Sequence, residues 1–150
     1  MLLYPTSNLL AALLITVSYS THASALGINC RGNPSCNLYS HSGIATTEWL
    51  RDVIVGLNGY SGIDESRYYN DGEHIACAGS SLGAAICAFM QKSQGARGAT
   101  IKLAAQDLVN HGCGTCGSAP LDRNNNDISL GELTFNYVMD PCGNSAKGLC

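Results

Sequence analysis

Three stretches of this chain carry residue types at spacings that could do chemistry. Cys113-Gly-Thr-Cys116 has the C-x-x-C spacing of a redox pair or of half a zinc site. A redox pair needs a low-pKa thiol at the start of a helix, and this one follows a helix end. Zinc needs a second C-x-x-C or a close histidine pair. His111 is near, but the sequence has no second half. Gly79-Ser-Ser-Leu-Gly83 matches G-x-S-x-G, with Ser81 at the nucleophile position and Asp107 and His111 available as partners. That elbow belongs between a strand and a helix of a large parallel sheet. Here the chain is short and the next segment, from Ala84 to Met90, reads as a strand, so a glycine-flanked turn is the reading. Asp122-Arg-Asn-Asn-Asn-Asp-Ile-Ser-Leu-Gly-Glu-Leu133 approaches a calcium loop. Its sixth position is Asp127 where glycine is required, and its Glu falls at position 11 where 12 is required. A tight polar turn is the better description. The carboxylate pairs Asp64/Glu65 and Asp71/Glu73 read as loop charges, and His41 and His74 stand alone in sequence. No catalytic, metal-binding or cofactor-binding set is expected.

The elements around these stretches are a few short helices and strands. Leu50, Val53, Ile54 and Leu57 recur at helical spacing and predict a first helix from Ile44 to Leu57. Thr46 or Thr47 would cap it, with Trp49 at its flank and Arg51 and Asp52 on a solvated face. Ile101, Ala104, Ala105 and Leu108 predict a second helix from Thr100 to His111, with Thr100 as the cap and Gly112 as its stop. Leu26 to Cys30 reads as a short edge strand. Tyr68-Tyr69 reads as another, and Asn70-Asp71-Gly72 as a hairpin signal into a strand at His74–Cys77. Ala84 to Met90 is apolar enough for a central strand. Glu132 to Val138 alternates, with Leu133, Phe135 and Tyr137 on one face. Tyr60, Tyr68 and Tyr69 near Arg67 read as half-buried loop aromatics. Together these elements predict a small α+β sandwich.

Composition narrows the function classes. The chain has 150 residues, fitting one domain, with 45% hydrophobic and only 13% charged residues. A net charge of −3 and the lack of any basic run exclude a nucleic-acid footprint. Leu9 to Val17 is an apolar run too short to span a bilayer, and Ala23-Ser-Ala25 follows it as a small-residue cleavage site. Residues 1–25 are thus expected to be a secretory signal peptide and 26–150 the mature domain. No other segment could insert in a membrane. Eight cysteines in a secreted chain of this length are a disulfide framework. Cys30 and Cys36 are the natural partners of Cys113 and Cys116, which would tie the end of the second helix to the start of the mature chain.

Four segments then make the chain resemble the KP-four type killer toxins, small secreted toxins of fungi and fungal viruses. They are Leu26-Gly-Ile-Asn-Cys-Arg-Gly32, Leu108-Val-Asn-His-Gly-Cys113 with Cys116-Gly-Ser118, Pro120-Leu121, and Gly131-Glu-Leu-Thr-Phe-Asn-Tyr-Val138. The resemblance implies a disulfide-rich α/β sandwich with an antiparallel sheet and two antiparallel helices on one face. It implies bridges Cys30–Cys113, Cys36–Cys116 and Cys77–Cys142, leaving Cys87 and Cys150 for a fourth. It implies a non-enzymatic, monomeric, extracellular protein that needs no cofactor. Such a protein would inhibit competing fungal cells by binding a cell-surface target, with calcium channels as the implied target. The family's exposed lysine, two positions before the cysteine matching Cys77, is Ile75 here, preceded by Glu73 and His74. Those three residues are the candidate target-binding segment. The family toxin is basic and this chain is acidic, with a sequence pI near 5.7. An extracellular interaction protein, acting on a host or on its own cell surface without channel block, is the second expectation.

Overall fold

A computed structural model describes residues 27–39, 46–79, 83–142 and 147–150. The expected signal peptide lies outside the described residues. The central element is β3 (Ala85–Gln91), whose small and apolar residues let it be buried on both faces. It pairs antiparallel with β2 (His74–Gly79) on one side and β6 (Asp127–Val138) on the other. β5 (Gly117–Asp122) closes one edge against β6, and β7 (Lys147–Leu149) closes the other against β2. A two-stranded ribbon, β1 (Tyr68–Tyr69) with β4 (Ala96–Arg97), stands apart. The helices are α1 (Thr46–Val55) and α2 (Gly98–Asn110), preceded by a 3₁₀ turn at Pro34–Tyr39.

Strand alternation divides the sheet into two faces. Ile86, Ala88, Met90, Leu133 and Phe135 share the main core with Leu50, Val53 and Ile54 of α1 and with Ile101, Ala104, Ala105 and Leu108 of α2. Both helices therefore lie on one side of the sheet. The opposite face holds a smaller cluster of Cys77, Ala85 and Cys87, flanked by Phe89, Val138 and Cys142. On that face Glu132, only 5% exposed, takes an ion pair from Lys92 at 3.0 Å. The result is a small disulfide-rich α+β fold. Among the described residues no helix is long and apolar enough to cross a membrane.

Several local expectations are corrected. α1 stops at Val55 because Gly56 turns to φ +90, which leaves Leu57 outside the stripe and 40% exposed. Its expected start at Ile44 lies outside the described residues. Arg51 and Asp52 are not a solvated face, since their side chains are 16% and 15% exposed. Arg51 Nη1 donates to Gln106 Oε1 at 2.7 Å and so joins the two helices. α2 begins at Gly98, so Thr100 sits inside its first turn, and the N-cap is Arg97 with no side-chain cap. Asn70 to Gly72 does turn, but β1 pairs with β4 rather than with β2. Of the expected strand at Leu26–Cys30, the described residues, from Gly27 on, form a single bridge, Asn29 with Ser118.

β5 carries little strand propensity in Gly-Ser-Ala-Pro. Its place at the sheet edge tolerates Pro120, which has no N–H to give. The Asn29 bridge and the β6 ladder hold it there.

Candidate functional site

The most constrained surface is the corner where the amino-terminal arm meets the end of α2. α2 runs out at Asn110, and Gly112 at φ +88 takes the left-handed position that ends it, with its N–H donating to Val109 O at 2.9 Å. The C-x-x-C thiols follow at once. They are bonded to the arm rather than to each other: Cys30–Cys113, with Cα atoms 4.9 Å apart, and Cys36–Cys116, with Cα atoms 6.1 Å apart. The arm is also zipped to the sheet by Asn29 N to Ser118 O at 3.0 Å, Ser118 N to Asn29 O at 2.8 Å, and Asn33 N to Asn136 Oδ1 at 2.9 Å.

Two glycines of the corner are required by contact. A Cβ on Gly117 would lie 2.5 Å from Asn29 O, and one on Gly32 would lie 2.6 Å from Cys116 Cβ. This gives the Cys30-Arg-Gly32 and Cys116-Gly-Ser118 runs a physical reason. Thr47 supplies a third tie. Its hydroxyl donates to Cys113 O and sits 3.2 Å from Gly114 O, while its backbone N–H donates to Gly114 O. Thr47 is fully buried, so its role is to lock α1 onto the stapled loop rather than to cap the helix. Thr47→Val is expected to cost about 1–2 kcal/mol by stranding the Cys113 carbonyl. Chemical denaturation would show it as a shifted midpoint with an unchanged slope.

The corner surrounds a polar recess of about 420 Å³, lined by residues of the arm and by Gly114 and Thr115. Arg31 lies on its rim and is exposed. Other cations are engaged: Arg51 with Asp52, Arg67 with Glu73, Lys92 with Glu132, Lys102 with Glu65, Arg123 with Asp107, and Arg97 with Ser66 O. The Arg31 guanidinium has no partner of either kind among the described residues. Nothing in the pattern of the Arg31–Cys36 run marks it as a binding segment. The available signal was a cation beside a cysteine with no acid near it in the chain.

The candidate segment on β2 is arranged differently. Glu73 is half-buried and spent on Arg67 and the Asn70 amide. His74 is half-buried, its ring 5.8 Å from that of Phe89. Ile75 is 1% exposed and belongs to the main core, so its side chain has no surface to offer a partner.

The remaining four cysteines depart from the pairing that the resemblance implies. Cys77 bonds Cys87, its direct cross-strand neighbour in the β2–β3 register, and Cys142 bonds Cys150. The physical reason is register: β2 and β3 bring the Cys77 and Cys87 Cα atoms to 4.1 Å. No free cysteine is present among the described residues. His74, Cys77 and Cys87 could geometrically hold a metal, as could Cys77, Cys142 and Cys150. Sulfurs joined to one another offer no thiolate to an ion.

The other chemical candidates resolve into structure. Ser81 lies outside the described residues, as does His41. Gly79 and Ala85 belong to antiparallel neighbours, the opposite of a strand-turn-helix elbow. Asp107 is in a two-pronged pair with Arg123, which lifts the Arg123 pKa above its ordinary value through that hydrogen bond. Asp122 accepts from Asn124 N and from Asn125 Nδ2, and Asp127 from the Ser129 amide and hydroxyl. The Ser129 hydroxyl and amide hold the Asp127 carboxyl below the usual aspartate value. Ser66 does the same for Asp64. These carboxylates fasten turns. Trp49 donates to Tyr60 OH at 2.9 Å, and Arg67 stacks 4.3 Å from the centre of the Tyr69 ring.

The Kp4 family model matches residues 13–139. The KP4 killer toxin of Ustilago maydis P4 virus is 37% identical over 135 residues, covering 88% of this chain and 91% of that protein. With the family model over most of the chain and 37% identity over most of both chains, this chain belongs to the Kp4 family and is killer-toxin-like.

Proposed function

We propose that the protein is a secreted, non-enzymatic antagonist of fungal cells that binds a cell-surface protein through the stapled corner, with Arg31 as the contact cation. The observation that carries this reading is Arg31 itself: exposed, unpaired among the described residues, and held on a segment fixed by two disulfides and a buried threonine. A rigid donor loses little freedom on binding. A guanidinium presents a planar fork of five donors to carboxylates, and a ring of carboxylates is what the mouth of a cation channel offers. Calcium-channel block is therefore the proposed mode, with Arg31 taking the part for which Ile75, being buried, is unsuited. The leader expected at residues 1–25 and the eight cysteines support secretion. A monomer acting without a cofactor fits the reading.

Arg31→Glu is expected to reduce growth inhibition of a sensitive fungus on the order of tenfold or more, since charge reversal at a contact lowers the association rate and adds repulsion. Its melting temperature should stay at the wild-type value, because Arg31 is exposed. Full potency in a folded Arg31→Glu protein would remove the corner from the account.

The net charge of −3 favours a second reading, in which the protein binds an extracellular partner without blocking a channel. The two part on calcium: added calcium relieves inhibition under channel block and leaves binding to another partner unaltered.

A further inference from the structure

The turn that follows α1 brings together the parts of an uncatalysed ring closure. Asn58-Gly59 is the one Asn-Gly step in the sequence. Both residues are exposed and both sit in the left-handed region, at φ +52 and φ +89, and Tyr60 N donates to Leu57 O at 3.0 Å. Positive φ at both central positions is the signature of a type I′ turn. The fourth residue closes such a turn, so the N–H of the third is not used. Among the described residues no hydrogen bond takes the Gly59 N–H. A Cβ on Gly59 would meet nothing within 4 Å, so the peptide has room to rotate. A glycine nitrogen with no partner and no side chain beside it reaches a preceding carboxamide most readily.

The same chemistry is blocked elsewhere. Asp71-Gly72 has the same form, but Gly72 N donates to Met90 O at 2.9 Å and Asp71 Oδ1 accepts from the Ser93 amide and hydroxyl, each at 3.1 Å. Every other Asn precedes a residue whose side chain crowds the nitrogen. At Asn58 the restraint is on the carboxamide. Its Nδ2 donates to Asp52 Oδ2 at 2.7 Å, while Asp52 Oδ1 accepts from Arg51 Nε at 2.7 Å.

We propose that Asn58 is a self-deamidation site held in check by Asp52. When the bond to Asp52 opens, Gly59 N bonds Asn58 Cγ and gives up its proton, and Nδ2 leaves as ammonia. Water then opens the imide ring. Attack at Cγ gives aspartate at position 58, and attack at the main-chain carbonyl gives isoaspartate. One water is consumed and one ammonia released, with no oxidant or reductant. The product is a carboxylate where the structure needs a donor. It meets Asp52 in place of the amide, and like charges that close repel. Asp52 is also the partner of Arg51, whose Nη1 joins α1 to α2 through Gln106 Oε1. The isoaspartate form adds a carbon to the backbone of the turn that delivers Tyr60, and Tyr60 OH accepts from Trp49 Nε1 at 2.9 Å. Trp49 is the chain's single tryptophan, so its emission reports the event.

The test is incubation of the purified mature protein at mildly alkaline pH, followed by reduction, tryptic digestion and mass spectrometry. Asn58 is the only Asn in the Asp52–Arg67 tryptic peptide. A synthetic peptide of that sequence, treated alongside, shows that the conditions suffice. The expected result is that Asp52–Arg67 from the folded protein splits with time into aspartate and isoaspartate forms, ahead of every other Asn, together with a shift in Trp49 emission. An unchanged Asp52–Arg67 from the folded protein, while the free peptide converts, would overturn the proposal, and so would equal conversion at the other Asn residues. Asn58→Gln has a larger ring to close and should hold its emission steady. A shift that persists in Asn58→Gln would overturn the link to Tyr60. Asp52→Ala should speed conversion several-fold, the weight of one exposed hydrogen bond to a charged group. An unchanged rate would overturn the part given to Asp52.

Discussion

Replacing Cys30, Cys36, Cys113 and Cys116 together by serine is expected to leave a chain with no cooperative melting transition. The two corner bonds close loops of 83 and 80 residues. A loop of that size restricts the unfolded chain by about 4.5 kcal/mol on the chain-entropy account. The bonds are close neighbours, however, and their effects are not simply two such loops. With Cys36–Cys116 kept, removing Cys30–Cys113 opens only the small ring formed by 30–36 and 113–116, worth about 2.7 kcal/mol on the same account. Removing both also opens the long loop, for a total of about 7 kcal/mol, which rivals the whole stability of a typical domain. The Cys30→Ser/Cys113→Ser pair is thus expected to fold with a lowered melting temperature, and the fourfold variant not to fold. Calorimetry on both would check this. A fourfold variant that melts like wild type would show that the corner does not organise the fold.

Phe135→Ala should have the second largest effect, about 3–5 kcal/mol. Phe135 is wholly buried in the second half of β6, on the face that meets the helices, and heads the largest fully buried side chains. Its neighbours are rigid strand and helix residues, so the cavity left behind has little freedom to collapse. In a domain of this size such a loss lowers the melting temperature by roughly 15 °C. Tyr137→Ala, on the same face but only partly buried, should cost clearly less. Thermal unfolding of the two variants side by side would test whether the core is centred on β6. Equal losses would contradict it.

Much of this layout is legible in the chain. The stripes through Leu50, Val53 and Ile54 and through Ile101 to Leu108 mark the two helices because tertiary burial follows helical period. Leu133 and Phe135 mark β6 because one of its faces is core and the other is not. Most of what escaped was decided by contacts distant in sequence, Leu57 being the local exception. Leu57 continues the stripe on paper, but Gly56 turns the backbone before it. Gly117 to Pro120 has no strand signature and becomes β5 because Cys116 and Asn29 deliver it to β6. Tyr68-Tyr69 finds its partner at Ala96–Arg97, across the whole of β2 and β3. Arg51 looks like surface in a helical projection and is instead a link to Gln106.

The site was legible in part. The spacing of Cys30, Cys36, Cys113 and Cys116 announces a stapled corner, but nothing in the sequence says that Arg31 would be left unpaired among the described residues. That depends on where every acid ends up. Glu73, His74 and Ile75 were found by resemblance, and burial of Ile75 then turns that strand inward. The outer cysteines show the limit most clearly. Four sulfurs gathered in one cluster allow several pairings, and sequence spacing does not choose among them.

The most direct test of killer-toxin-like antagonism is growth of a panel of fungi exposed to the purified mature protein, with and without millimolar calcium, beside the folded Arg31→Glu variant. The account predicts inhibition of at least some strains, relief by calcium, and a clear loss of potency in Arg31→Glu. Normal growth of every strain at all protein concentrations would contradict it.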